Sequence, residues 1–394
     1  MSPERIQFKG LNAVRFLAAS MVAVSHATVV LMWSGRASFI GSMNPDTGKI
    51  AVICFFVLSG FLITYLLLAE ERHTGSFSTS NFYARRVLRI WPLYYLLVLA
   101  AFFVFPKIPS LAAGLKVPGD SWGKTFFLYL SIFPNLAAPF PYLGHLWSIG
   151  VEEQFYIVWP LLLRASRSRM RLIGGVIVSY VAVLLVVERW HLAGSGMFHD
   201  AFYLFRIDCI CLGALGAQLL FDRSRAVLWL ARSTGAQSAL VLLLVALYAA
   251  KVQLPPVTYE LYALLFAALI VAIAANDRSF LCLDGPVLDT LGKVSYGIYM
   301  YHPLAIMTAF VAVRAALGDG VGEWVFSAAL YALGLPLTVA MALLSYYGFE
   351  RRFLRLKLRF SRIVTGDLAT RSGEESGEEF SLENAPLTSV DKLG

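Results

Sequence analysis

Runs of about twenty apolar residues recur along this 394-residue chain, separated by short connections rich in Arg and Lys. A helix needs roughly 20 apolar residues to cross a bilayer, and lipid leaves no unpaired backbone group a partner. The pattern predicts an all-α integral membrane protein, a bundle of about ten spanning helices near residues 11–32, 50–69, 88–106, 144–164, 172–188, 201–221, 235–251, 258–275, 295–315 and 324–348. Composition agrees: 58% of residues are hydrophobic and 15% charged, with a mean hydropathy of +0.67. Soluble chains carry roughly 45–50% and about 25%. Disorder, collagen and a disulfide scaffold are excluded as the overall class. The stretch from Phe126 to Pro141 is broken by Pro134, Pro139 and Pro141, so an interfacial or re-entrant segment is expected there. The run from Leu11 to Met32 is longer than a signal-peptide core of about 7–15 residues and lacks a small-x-small cleavage site. It reads as an uncleaved span.

The formal charge is +8. In a soluble chain that balance suggests nucleic acid, but here the bases lie between spans, where they set topology. With the N-terminus inside, 21 of the 33 Lys and Arg fall in cytoplasmic segments and 8 on the other side. Both termini are therefore expected in the cytoplasm, with no nucleic-acid partner. Residues 1–363 form the expected membrane domain. Residues 364–394, carrying Glu374, Glu375, Glu378, Glu379 and Glu383 among Gly, Ser and Thr, read as a disordered acidic tail. No internal repeat marks the inverted symmetry common in secondary transporters. Cys54, Cys209, Cys211 and Cys282 have no metal-ligand spacing and read as buried thiols, so no metal is expected.

Polar residues inside apolar spans carry the functional signal, because such groups are costly in lipid and face a bundle interior or a wet cavity. Arg15 and His26 are eleven residues apart, which places them on one helix face about 16 Å apart along the axis. Arg86 and Arg89, at i,i+3, share a face at a membrane entrance, where guanidinium forks suit phosphate oxygens. The same pair also suits ordinary anchoring to lipid head groups. Glu152 and Glu153 are adjacent in one span and need partners; the intramembrane arginines are the available ones. Ser148, Glu152 and Tyr156 share a face, and Glu153 points elsewhere, so the two carboxylates have different roles; both are catalytic candidates, and either one could orient His26. Arg206 and Asp208, two apart on a helix, do not face each other and each needs another partner, as in a structural ion-pair network. Ser295, Tyr299 and His302 form a polar stripe suited to a cavity wall, or an interfacial aromatic belt.

No Walker loop, GxSxG elbow, HExxH or CxxC pair is present. A deep histidine can act as general base on a hydroxyl, and acyl transfer from a thioester needs a base or a nucleophile, with donors for the oxyanion. A CoA thioester is cytoplasmic and carries several phosphates, which arginines near that face suit. His26 would then meet an acceptor arriving from the other side.

At these residues the sequence resembles the integral-membrane acyltransferase family 3, over about residues 8–355. The motifs are Arg15 and His26 with ten residues between them, the Phe-Phe-Val-Leu-Ser-Gly-Phe-Leu-Ile run from Phe55 to Ile63, and Arg86 and Arg89 before Ile90-Trp91-Pro92. The block from Leu146 to Tyr156 and the Ser-Tyr-x-x-Tyr-x-x-His run from Ser295 to His302 complete the set. Each is weak alone; five in the same order are specific. The resemblance implies acyl transfer, most often of acetyl from acetyl-CoA, to a hydroxyl of a cell-envelope or exported glycan, such as a lipid-linked one, in the bacterial cytoplasmic membrane. It implies His26 as the essential histidine and Arg15, Arg86 and Arg89 as essential or donor-binding residues. Some relatives carry an extra extracytoplasmic hydrolase-like domain; none is visible here, so the spans are expected to supply the activity or to pass acyl groups to a partner.

Two other readings compete. A transporter of a polar or lipid-linked solute would use the same buried charges without a thioester. An acyltransferase of a small metabolite, such as a macrolide, would share the chemistry and differ in acceptor.

Overall fold

The computed structural model describes residues 4–6, 8, 10–38, 44–112, 122–190, 203–275 and 285–365. The acidic tail from 366 onward and Cys282 lie outside these residues.

Helices dominate. They are α1 (Leu11–Trp33), α2 (Thr47–Thr74), α3 (Thr79–Leu99), α4 (Pro109–Ala112), α5 (Trp122–Leu130), α6 (Trp147–Ala165), α7 (Arg169–Trp190) and α8 (Ile207–Phe221). There follow α9 (Arg225–Arg232), α10 (Thr234–Ala249), α11 (Thr258–Ala274), α12 (Pro286–Lys293), α13 (Ser295–Leu317), α14 (Glu323–Ser345) and α15 (Arg351–Lys357). Among the described residues six helical segments are long and apolar enough to cross a membrane: α1, α2, α3 continued to Lys107, α7, α13, and α14 continued to Phe360. The pair α9 and α10, bent by 86°, makes a seventh if it counts as one span. The remaining expected spans coincide with helices that fall short of that test. The helix α6 carries Glu152, Glu153 and Arg164, while α8 and α11 have only 15 and 17 residues.

Burial separates centre from rim. The apolar window of α2 is 78% buried and that of α7 only 11%. The exposed apolar side chains of α7 and α10, such as Val178 and Leu242, are those a lipid-facing surface needs. Glycine sets the closest contact in the core. A Cβ on Gly60 of α2 would stand 1.8 Å from the Ile210 carbonyl oxygen of α8, and one on Gly213 would stand 2.0 Å from that of Val57. The two backbones touch because neither position has a side chain.

The segment from 126 to 141 is a short helix, turns and 3-10 turns packed on α3 and α6, as its prolines suggest. Tyr94 and Tyr95 of α3 donate to the carbonyls of Tyr129 and Leu130, and Gln154 of α6 bonds Asn135. Outside the helices, β1 (Glu4–Ile6) and β2 (Ile363–Thr365) pair in parallel, with Glu4 opposite Ile363. This small sheet ties the chain just before α1 to the chain just after α15, at one end of the bundle.

Candidate functional site

The cavity of interest lies between α1, α2, α3, α6, α12 and α13 and measures about 570 Å³. That is the size of a small-molecule site. Among the described residues its wall holds five basic side chains: Arg15, Arg86, Arg89, Lys293 and Lys357. Two acids, Glu152 and Asp289, share it with Ser59, Ser148, Ser295, Tyr156, Tyr296 and Tyr299. Apolar side chains of α2, among them Val52, Phe55 and Leu62, fill the rest.

The helices order these groups by depth. Arg15 sits in the second turn of α1, near the β1–β2 pair, and Lys357 ends α15 at the same end. Ser295 opens α13 and Tyr299 lies one turn further in. There the Tyr299 hydroxyl pairs with Ser148 at 2.6 Å and lies 2.9 Å from the His145 carbonyl oxygen. The basic groups thus gather at one end of the cavity and the hydroxyl pair at the other.

Eight of the eleven residues singled out from sequence line this cavity: Arg15, Arg86, Arg89, Ser148, Glu152, Tyr156, Ser295 and Tyr299. His26, Glu153 and His302 do not. His26 lies about 16 Å further along α1 than Arg15. Its ring packs on His302, centroid to centroid 4.6 Å, one turn beyond Tyr299. His26 and His302 are absent because a face assignment places a residue around a helix, whereas the cavity stops at a depth that spacing does not give; Glu153, level with Glu152, is absent because it faces another way.

The two carboxylates separate, as adjacent positions about 100° apart on a helix do, and neither pairs with His26. Glu152 accepts from Ser59 at 2.7 Å, and buried Glu153 accepts from the Trp91 indole at 2.8 Å. Their hydrogen-bond partners are a hydroxyl and an indole rather than arginines, which corrects the expectation from sequence. Arg86 acts on both through space. Its own Nε is buried without a hydrogen bond among the described residues, and its guanidinium lies 5.7 Å from the Tyr156 ring centroid. The neighbouring Arg85 turns away, to Glu70 at 2.9 Å and the Phe360 carbonyl at 2.7 Å.

Arg206 and Asp208 need a second correction. Arg206 precedes α8 as its cap residue, so the rule for two residues apart on a helix does not govern it. Its Nη2 lies 3.5 Å from Asp208 and 2.5 Å from Glu260, in a buried network apart from the cavity. Cys54, Cys209 and Cys211 are buried free thiols, as expected.

Sequence reasoning missed Lys293, Lys357, Ser59 and His145. Lys357 belongs to a basic run that reads as a topology signal; in the structure it stands within electrostatic reach of Arg15, Arg86 and Arg89. Ser59 sits inside a recognised apolar run, and His145 directly precedes the Leu-Trp-Ser block, so neighbourhood was the available signal for both. Among the described residues no group of three or more His, Cys, Asp or Glu is placed to hold a metal ion.

Comparison with known proteins completes the description. The acyltransferase domain of acyltransferase family 3 matches residues 8–347. A Bacillus subtilis protein provisionally named peptidoglycan O-acetyltransferase YrhL is 29% identical over 346 residues, covering 80% of this chain and 52% of its own. The peptidoglycan O-acetyltransferase OatA of Listeria monocytogenes is 28% identical over 291 residues, covering 66% and 45%. A Staphylococcus aureus protein provisionally named an O-acetyltransferase is 27% identical over 375 residues, covering 87% and 57%. The chain thus spans about half the length of these relatives. No solved structure matches it.

Proposed function

The chain belongs to acyltransferase family 3, and from that premise we propose that it moves an acyl group, acetyl first of all, from a cytoplasmic CoA thioester to a hydroxyl of a cell-envelope glycan. The observation that carries this reading is the cavity, with five cations at one end and hydroxyls at the other. Arg15, Arg86, Arg89, Lys293 and Lys357 suit the phosphates of CoA, with arginine forks taking phosphate oxygens in pairs. Lys293 is already paired with Asp289 at 2.6 Å, so the arginines and Lys357 are assigned the larger share. The long flexible arm of CoA runs along the apolar wall of α2 and carries the thioester past Ser148 and Tyr299 towards His26.

His26 serves as general base. Its Nδ1–H donates to the Val22 carbonyl at 3.0 Å, which leaves Nε2 with a lone pair for a hydroxyl proton. The ring is partly exposed, unlike His145 and His302, so an acceptor has a way to it. Tyr299 donates its one proton to the His145 carbonyl, so the oxyanion donor is Ser148, which turns its hydroxyl from Tyr299 to the oxygen as the carbonyl carbon becomes tetrahedral. Glu152, held by Ser59, stays on the wall near Arg86. Glu153 orients Trp91 rather than a substrate.

In this reading all ten apolar helices cross the bilayer of the bacterial cytoplasmic membrane, with both ends of the domain 1–363 in the cytoplasm. The excess of 21 basic residues over 8 supports that orientation. The β1–β2 pair supports only that the two ends of the domain share one side, because it puts them together. The acceptor is assigned to peptidoglycan or a related envelope glycan on the strength of the relatives' names.

The test is transfer from labelled acetyl-CoA in membranes expressing the wild type or His26→Ala, with host envelope glycan as acceptor. Label that enters glycan only with the histidine present supports the reading. Equal labelling with both would remove His26 from its role. No label and no CoA release with any acyl donor would put a transporter in its place.

A further inference from the structure

Three of the chain's six histidines meet ring to ring, and only one of them has a role so far. His302 stands between His26, at 4.6 Å centroid to centroid, and His145, at 4.9 Å. A carbonyl oxygen only accepts, so Nδ1 of His302 carries the proton it donates to Tyr299 at 2.6 Å. Its Nε2 is therefore a lone pair. That atom is completely buried and has no hydrogen-bond partner among the described residues. An orphaned acceptor in a packed interior destabilises the fold, so its presence calls for a reason.

The geometry points to His302 as the positioning residue for His26, its free Nε2 lone pair kept for the charge that His26 acquires. The inference rests on the acyl-transfer reading. The acceptor O–H bond breaks, its oxygen bonds the acyl carbon, and His26 holds the proton as an imidazolium. The C–S bond then breaks and the CoA thiolate takes the proton from His26. In the resting protein the His302 ring packs at 4.6 Å on a neutral ring. Once His26 is charged, the lone pair on the neighbouring ring stabilises that charge through space. The interaction is thus stronger in the charged state than in the ground state, the condition for lowering a barrier. His145 closes the other side of His302 and fixes its tilt. Neither ring touches the reacting atoms.

The experiment uses the purified full chain in lipid nanodiscs, acetyl-CoA and host envelope glycan, and reads CoA release. His302→Phe keeps a ring of similar size and removes both nitrogens. It should lower kcat by about a hundredfold, within the range of acid–base contributions, with KM for acetyl-CoA unchanged. His302→Ala should behave alike and regain activity with added imidazole, which a packing role would not give. A His302→Phe protein within threefold of wild type, or a His302→Ala protein that imidazole does not revive, overturns the assignment while the acyl-transfer reading stands. A wild type that releases no CoA from any acyl donor overturns that reading and this inference together.

A second observation, independent of the chemistry, concerns α9. Arg225, Leu228, Trp229 and Arg232 fall at i, i+3, i+4 and i+7, one face of the helix, and all four are exposed. Val227 and Ala231 on the opposite face are buried. The 86° bend to the apolar α10 lays α9 across the direction of that helix. The exposed face together with Ser233 lines an open groove. We infer that this face binds an anionic phospholipid, its phosphate between the two arginines and its acyl chains against Leu228 and Trp229. In-plane amphipathic helices with arginine and tryptophan hold membranes in this way.

The probe is Trp229 fluorescence in nanodiscs containing brominated phosphatidylglycerol or brominated phosphatidylcholine, with Trp229→Phe isolating its signal from the other seven tryptophans. Phosphatidylglycerol should quench Trp229 more strongly, with a preference of about fivefold for each arginine, and Arg225→Gln with Arg232→Gln should abolish the difference. Equal quenching by the two lipids, or a preference that survives the double substitution, overturns the site.

Discussion

Substituting Gly60 and Gly213 tests the core of the structure directly. An alanine Cβ at Gly60 would lie 1.8 Å from the Ile210 carbonyl oxygen, and one at Gly213 would lie 2.0 Å from that of Val57. Non-bonded heavy atoms sit near 3.5 Å, so α2 and α8 must part by about 1.5 Å at either site. The obstacle is backbone in both cases, and no side chain can swing aside. Overpacking costs about 1–3 kcal/mol where side chains can adjust, so each single alanine belongs at or above the top of that range. One separation relieves both clashes, because both lie on the same helix pair. The double variant should therefore lose clearly less than the sum of the singles, with a coupling of about 1–2 kcal/mol. Reversible unfolding of the purified protein in mixed micelles, run as a double-mutant cycle, reads this out. The cavity supplies a second readout, because Val52, Phe55 and Ser59 are on α2 and move with it, so KM for acyl-CoA should rise in all three variants. Neutral single substitutions, or strictly additive losses, would refute the close approach of α2 and α8.

Further expectations concern the site. Arg86→Ala and Arg89→Ala should each raise KM for acetyl-CoA by about 10- to 100-fold, the worth of a charge-assisted hydrogen bond; Lys357→Ala should act in the same direction, and unchanged donor affinity in all three would remove the phosphate clamp. Trp91→Phe leaves buried Glu153 without the indole that bonds it and should cost about 1–3 kcal/mol of stability, measured by the midpoint of thermal unfolding; an unchanged midpoint would show the pair is dispensable. Tyr299→Phe removes the partner of Ser148 and should lower kcat more than it raises KM, which steady-state CoA release separates. Deleting residues 366–394 should leave CoA release intact, and a dead truncation would give the tail a role.

The sequence was enough for the all-α class and for eight residues of the cavity wall. Apolar runs of bilayer length leave helices as the only economical way to pair the backbone. Charges inside such runs are costly enough that each points to a wet or paired interior. Arg15, Arg86, Arg89 and Glu152 were legible for that reason, and the spacing of Ser295, Tyr299 and His302 gave their shared face.

Depth and partnership were decided by the tertiary structure, because they depend on how far helices overlap and what lies across from them. Periodicity says that Glu152 and Glu153 face different ways; only packing gives one to Ser59 and the other to Trp91. The basic run around Lys357 is the same in sequence whether it anchors to head groups or borders a cavity, and the return of α15 towards α1 makes it do the second. His26, His145 and His302 are separated by more than a hundred residues from one to the next. No local pattern joins them; three helical elements packed at one depth bring their rings together.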